Sequence, residues 1–387
     1  VITRIRIQFA YFYNPIKMHF RTILTNLVIA SVATLVALII LEFGVRIFSP
    51  VPAATRTPIE FLNSNRIGFK AHQEWTIKEP EFEERVSINA LGFRDSPVKT
   101  GTPTLVFLGD SQTYGTGLNF GERVSDRVRA RFTGACPNDS SQITNIAMPG
   151  ASTVDELRYI EFAVQNGVDV RGIILGVVTN DHAANVRLID LVRTNQPLPP
   201  RRTKAASWGD ALRRGMYQSR LIQLLVQRLS TTPWFITLYG SLKLNVGLGE
   251  FEALRAMYTD ENEALRQIRI TGEVIQRLNQ IAPVIIVLIP DKYRYLTPVQ
   301  QTAYRELSAQ SSTVDFDREA RLVSTIANEQ KISLIDPIAT FRDAPNPEQL
   351  SYPINGHLTP EGAALLADSI WNTLPQFARC QLFETRE

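Results

Sequence analysis

The chain has 387 residues, 44% of them hydrophobic and 20% charged, with a formal net charge of +3. That is enough apolar material for one sizeable core with insertions, or for one large and one small domain, and it excludes a mini-protein. Basic residues are scattered except near the N-terminus and at Arg201-Arg202-Thr203-Lys204, so no nucleic-acid partner is expected.

The first element is an apolar run from Ile23 to Leu41, 19 residues without a charge. It has the length of a bilayer-crossing helix, and Thr25, Asn26, Ser31 and Thr34 are too few polar residues for the stripe of a core helix. Arg4, Arg6, Lys17 and Arg21 precede the run. By the positive-inside rule, residues 1–22 are then cytoplasmic, 23–41 form a transmembrane helix, and the bulk lies outside the cytoplasm. A cleaved signal peptide competes, but the run leads into Glu42-Phe43-Gly44-Val45-Arg46 rather than the small residues of a cleavage site. Met18 offers an alternative start.

Residues 42–85, with Ser49-Pro50-Val51-Pro52, read as a stalk and lead-in to a body at 86–380. Val86-Ser87-Ile88-Asn89 alternates like a short strand and Leu91-Gly92-Phe93-Arg94-Asp95 closes it with a turn. Strands are expected at 104–108, 142–147, 171–178, 282–289 and 332–336, and helices at 119–133, 152–166, 262–280, 315–330 and 359–374. Alternation of this kind predicts an α/β fold, a parallel sheet of about five strands with helices on both faces. The first strands are continuous Val/Ile/Leu runs, as strands covered on both faces should be.

The stretch 183–261 is too long for an ordinary loop and contains a helical pattern at 208–230. It reads as a cap inserted over the strand ends, or as a helix extending the core. Cys136 follows the first helix of the body and Cys380 the last, and a location outside the cytoplasm permits a disulfide between them. Two buried thiols are the alternative.

The densest chemical signal is the run Thr104 to Gly117, where an apolar strand ends abruptly in Gly109-Asp110-Ser111 before a helix. A hydroxyl there sits at the carboxyl edge of a strand, in a field that favours developing negative charge. Alone, Gly-Asp-Ser is more often a turn or an N-cap. A serine nucleophile also needs a base and oxyanion donors. Of four histidines, His19 precedes the apolar run and His72 lies in the lead-in, leaving His182 and His357. His357 stands just before a helix that Thr359 should cap and Pro360 should open, although a solvated loop histidine fits that position too.

Gly150, after the second strand, can expose a backbone N–H, and Asn180, after the third, can donate from its amide. A helix-entry glycine and an Asn-Asp turn are the bland readings of the same residues. Asp110, Asp181 and Asp336 are acidic neighbours of these blocks, and for Asp110 and Asp181 a turn or helix-entry role suffices. Asp181-His182 lacks the ligand number of a metal site and no phosphate-binding glycine loop occurs, so no cofactor or metal is expected.

Together, Gly109-Asp110-Ser111, Gly150, Asn180 and His357 resemble, in order and spacing, the four blocks of the SGNH/GDSL hydrolase superfamily over about residues 104–375. The resemblance implies a flavodoxin-like, three-layer, doubly wound sheet, with Ser111 as nucleophile and His357 as base. The Ser111 N–H, Gly150 and Asn180 would form the oxyanion hole. The N-terminal span, the 87–95 segment and Pro290-Asp291-Lys292 look like the membrane-anchored bacterial branch linked to acylation of envelope polysaccharide. That branch implies a periplasmic domain, an acyl-ester substrate on carbohydrate, and room for a membrane acyltransferase as partner.

One position departs from the family pattern. Where the family has Asp before the histidine, this chain has Ile354 and Asn355. An amide oxygen can fix the imidazole tautomer but brings no charge, and the equivalent Asp-to-Asn change in a serine protease lowers kcat about 10⁴-fold. Asp336, Asp343 or Asp291 is the alternative source of a carboxylate. Three functions follow: a serine esterase or O-acyltransferase, a glycan-binding or assembly subunit that keeps the fold, and a lipase.

Overall fold

The computed structural model describes residues 2–48, 67–79, 81–194, 219–229, 256–307, 314–353 and 355–374, with residues 196, 232, 234 and 235. Helix α1 (Ile2–Phe48) is followed by β1 (Glu74–Lys78) and β2 (Glu83–Ser87). Then come β3 (Pro103–Leu108), α2 (Ser111–Tyr114), α3 (Val124–Ala135), β4 (Gln142–Asn145), α4 (Thr153–Gln165), β5 (Asp169–Val177) and α5 (Thr179–Arg193). The chain continues through α6 (Arg220–Leu229), α7 (Glu261–Ile281), β6 (Val284–Leu288), α8 (Lys292–Tyr295) and α9 (Pro298–Leu307). It closes with α10 (Arg318–Gln330), β7 (Ser333–Ile335), α11 (Ile338–Arg342) and α12 (Pro360–Thr373).

The main sheet has five strands in the order β4-β3-β5-β6-β7, every neighbouring pair parallel. Numbered within that sheet the order is 2-1-3-4-5, the flavodoxin-like arrangement, whose strand order reverses between the first and third strands. Those are β3 and β5, the strands that lead into Ser111 and Asn180. Side chains alternate between two cores, as a period of two requires. Val106, Leu108, Ile173, Leu175, Ile286 and Leu288 face one, while Leu105, Phe107, Ile174 and Val287 face the other. Coverage of both faces is why the strands read as unbroken apolar runs.

Three local differences from the sequence reading have physical causes. Helix α3 starts at Val124, not 119, because Gly117 and Gly121 take positive φ (83° and 91°) and hold the chain in a loop. Helix α5 fills 179–193, the region read as a turn and the start of the insertion. The stretch read as stalk and lead-in contains β1, which pairs as an antiparallel hairpin with β2, a strand that overlaps the one read at 86–89, and Trp75 and Val86 enter the same core as Val106 and Ile146.

Within α1, Ile23–Phe48 is long and apolar enough to cross a membrane, a test that a signal sequence near an N-terminus also meets. Near its end, Glu42 accepts hydrogen bonds from Ser219 Oγ (2.8 Å) and from the backbone N–H of Arg220 (3.0 Å) and Leu221 (2.9 Å). The α1 exit thus caps the start of α6, which falls within the expected 208–230 helix. Most of the expected cap, including 197–218, lies outside the described residues. Helices α3 and α12 share one core through Val128, Phe132, Leu366 and Ile370. Cys136, 5% exposed at the end of α3, is disulfide-bonded, and the chain's other cysteine, Cys380, lies outside the described residues.

Candidate active site

The turn after β3 is built by close packing. A Cβ on Gly109 would come 2.1 Å from Thr113 Oγ1, and one on Gly176 of β5 would come 2.2 Å from the same atom. Only glycine at both positions lets Thr113 wedge between the strands and bring α2 down onto the sheet edge. Asp110 caps this one-turn helix, its Oδ1 accepting from Gln112 N at 2.9 Å. Ser111 is therefore the first helical residue, where a backbone N–H has no partner within the helix.

His357 arrives on a loop ordered by its own backbone. Tyr352 N–H donates to His357 O (2.8 Å), Gly356 N–H donates to Tyr352 O (2.8 Å), and Gly356 takes φ 81° to close the turn. Thr359 caps α12 and Pro360 opens it, as expected. His357 Nε2 lies 2.7 Å from Ser111 Oγ, and Nδ1 contacts Asn355 Oδ1. A side-chain carbonyl can only accept, so the ring proton sits on Nδ1 and Nε2 is free to take the serine proton. Asp110 Oδ2 lies 3.2 Å from the same hydroxyl as a second, longer acceptor. Burial lowers the His357 pKa to about 4, with the Asn355 hydrogen bond pulling the other way, so the imidazole is neutral at physiological pH.

The remaining blocks follow from strand order. Ser111, Gly150 and Asn180 lie on the loops and helix starts after β3, β4 and β5, which are neighbours at the carboxyl edge with Ser111 central. Met148 N–H donates to Gly109 O (3.2 Å), tying the Gly150 loop to the Ser111 turn, and Gly150 takes φ 67°. Asn180, in the first turn of α5, is exposed. Asn145, at the end of β4, donates to Thr113 O (2.7 Å) and Ser125 Oγ (2.9 Å) and so supports α2 from below.

The expected acids sit in structural roles. Asp181 is buried and its Oδ2 accepts from Val178 N at 3.1 Å, capping α5; burial and then the nearby Glu156 and Asp110 carboxylates raise its pKa well above the usual range. Asp336 is bound by Arg294, Nη2 to Oδ2 at 2.8 Å, and the side chain against His357 Nδ1 is the amide of Asn355. Asp291 accepts from Thr179 Oγ1 and Tyr258 OH, and Asp343 ends α11. His182 contacts Glu319 and Thr271, away from the serine. Among the described residues, no three His, Cys, Asp or Glu side chains converge as metal ligands.

Sequence reading missed two contributors. Gln112, directly after the serine, accepts from Leu358 N (3.1 Å) and donates to Gly356 O (3.4 Å), clasping the backbone on both sides of His357. Glu81, in the β1–β2 turn, accepts from Asn355 N at 2.7 Å. Adjacency to Ser111 was a signal for the first; the second had none, since it depends on the hairpin forming.

No family model matches the chain, and no curated protein matches it. Solved structures similar to the chain include a lipolytic protein of the G-D-S-L family from Veillonella parvula, 14% identical, covering 70% of this chain and 98% of that one with a TM-score of 0.38. The acetyl xylan esterase AlAXEase is 12% identical, covering 70% of this chain and 100% of that one with a TM-score of 0.39. A lipase/acylhydrolase from Enterococcus faecalis is 14% identical, covering 70% and 95%, with a TM-score of 0.36. These are what the chain resembles, at identities too low to carry residue roles across.

Proposed function

We propose that the chain is a serine ester hydrolase or O-acyltransferase that works outside the cytoplasm from a membrane anchor. Ser111 is the nucleophile, His357 the base and Asn355 the acceptor that orients it. The observation that carries this reading is the 2.7 Å contact between Ser111 Oγ and His357 Nε2 at the carboxyl edge of the sheet. The apolar stretch Ile23–Phe48, whose most apolar window has no buried residue, supports the anchor.

Ser111 Oγ attacks the acyl carbonyl carbon as its proton passes to His357 Nε2. The carbonyl oxygen becomes an oxyanion that accepts hydrogen bonds from the Ser111 and Gly150 N–H groups and the Asn180 amide. The C–O bond to the leaving alcohol then breaks, and that alcohol leaves with the proton from Nε2. Water or a sugar hydroxyl attacks the acyl-serine in turn, giving its proton to His357, and Ser111 recovers it as the acyl group departs. Acyl esters on envelope carbohydrate, with a membrane acyltransferase as partner, are the substrate class and setting that fit the N-terminal organisation.

Asn355 supplies no charge to an imidazolium, which favours a second reading, a glycan-binding or assembly subunit of the same fold. A fluorophosphonate probe on the full chain separates them. Labelling of the native protein that Ser111→Ala abolishes supports the enzyme; a folded, unlabelled native protein supports the binding subunit. An ester series of increasing acyl length then tests the lipase reading, which requires preference for long chains.

A further inference from the structure

The β1–β2 hairpin touches the chain segments that carry both residues of the proposed pair. On the serine side, Glu84 Oε2 accepts from Gly117 N (2.7 Å), and Arg94, paired with Glu84 Oε1 at 2.8 Å, donates to Gly115 O (2.9 Å) and Leu118 O (2.6 Å). On the histidine side, the Phe82 ring lies 5.1 Å from that of Tyr352, whose hydroxyl donates to Gly117 O at 3.0 Å. Glu81 Oε2 accepts from Asn355 N at 2.7 Å.

Gln112 holds the loop at Gly356 and Leu358, but neither bond fixes Asn355. The orientation of Asn355 decides the tautomer. With Oδ1 toward Nδ1 the imidazole accepts at Nε2; with the amide NH₂ turned inward, Nε2 would carry the proton and could take none from serine. We propose that Glu81 is the positioning residue for the base: its carboxylate anchors the Asn355 backbone so that the Asn355 side-chain oxygen meets His357 Nδ1. The carboxylate holds the loop and the amide holds the ring.

This inference rests on the Ser111–His357 reading and is tested on the full-length chain in lipid nanodiscs. With p-nitrophenyl acetate, Glu81→Ala should lower kcat about tenfold with KM within about twofold, because orientation of the base matters to the transition state more than to binding. Glu81→Gln keeps an acceptor at the same reach and should stay within about threefold of native. In an Asn355→Ala background, Glu81→Ala should cost less than about twofold, since the oxygen it positions is gone. Native-like kcat in Glu81→Ala, or the same loss in both backgrounds, overturns the proposal.

A second readout needs no turnover. The His357 Nδ1 proton resonance, identified by its loss in His357→Ala, should be sharp in the native protein and Glu81→Gln and absent in Glu81→Ala. If that dependence holds while the native chain neither turns over nor labels, the enzymatic reading fails and the positioning role stands. If turnover depends on Ser111 and both readouts ignore Glu81, only the positioning role fails.

Discussion

His182 and His357 are each held by two side chains, yet the charged partner belongs to the histidine that has no nucleophile. His182 is 0% exposed, with Nε2 2.9 Å from Glu319 Oε1 and Nδ1 2.9 Å from Thr271 Oγ1. Glu319 Oε2 also lies 2.6 Å from Thr179 Oγ1, and Asn185 joins Thr271 Oγ1 (2.8 Å) to Val154 N (3.1 Å). That network locks α4, α5, α7 and α10 together beneath the sheet edge. His357 has an amide partner and touches Ser111. A carboxylate on an imidazole therefore marks a tied-down core here, and the strand edge carries the proposed catalytic pair.

The sharpest test exchanges the two histidines' roles. His357→Ala should lower kcat by about 10³-fold or more while leaving the denaturant midpoint nearly unchanged. His182→Ala strands the Glu319 carboxylate in a buried site and should cost about 3 kcal/mol of stability. Its folded fraction should lose less than about tenfold in kcat, read from active-site titration alongside a urea melt. The comparison breaks if folded His182→Ala is the deader protein.

Next in size is Asn355→Asp, which gives His357 the kind of partner His182 already has. With burial holding the native imidazole at about 4, the neutral, proton-accepting form is present at all higher pH, so kcat/KM should rise through about pH 4 and then level. A carboxylate on Nδ1 stabilises the imidazolium, so the substitution should raise the plateau about 10- to 100-fold and move the acid limb upward in pH. A native limb near 6.5, the ordinary histidine value, would show the site to be wetter than its geometry indicates.

Much of this contrast was legible in the sequence, for a physical reason. Buried parallel strands advertise themselves as apolar runs, so 104–108 and 171–178 located the strand edge, and Gly109-Asp110-Ser111 followed one of them directly. Thr359-Pro360 fixed the helix start beside His357 because capping is a local code. The first strand of the hairpin was not legible: Glu74–Lys78 offers only Trp75 and Ile77 to a core, and its pairing with Glu83–Ser87 is settled by packing against strands further along. Glu81 and Gln112 depend on contacts spanning 274 and 246 residues, which no local pattern records. That His182 carries the carboxylate partner was not legible, because partner identity is a tertiary property.

The smallest effect probes the tied-down histidine at its neutral end. Thr271 Oγ1 meets His182 Nδ1 and accepts from Asn185, and it donates to Gln267 O at 3.2 Å. Thr271→Val keeps the shape and removes the hydroxyl, leaving buried polar atoms of His182 and Asn185 without that partner, at a cost of about 2 kcal/mol. Thr271→Ser keeps the hydroxyl and should cost under about 1 kcal/mol. Neither should change fluorophosphonate labelling rates by more than about twofold, since neither touches the Ser111 turn. A folded Thr271→Val protein that labels tenfold more slowly, by contrast, would mean that the network sets the position of Asn180 through α5, so that the scaffold and the reactive edge are one coupled unit.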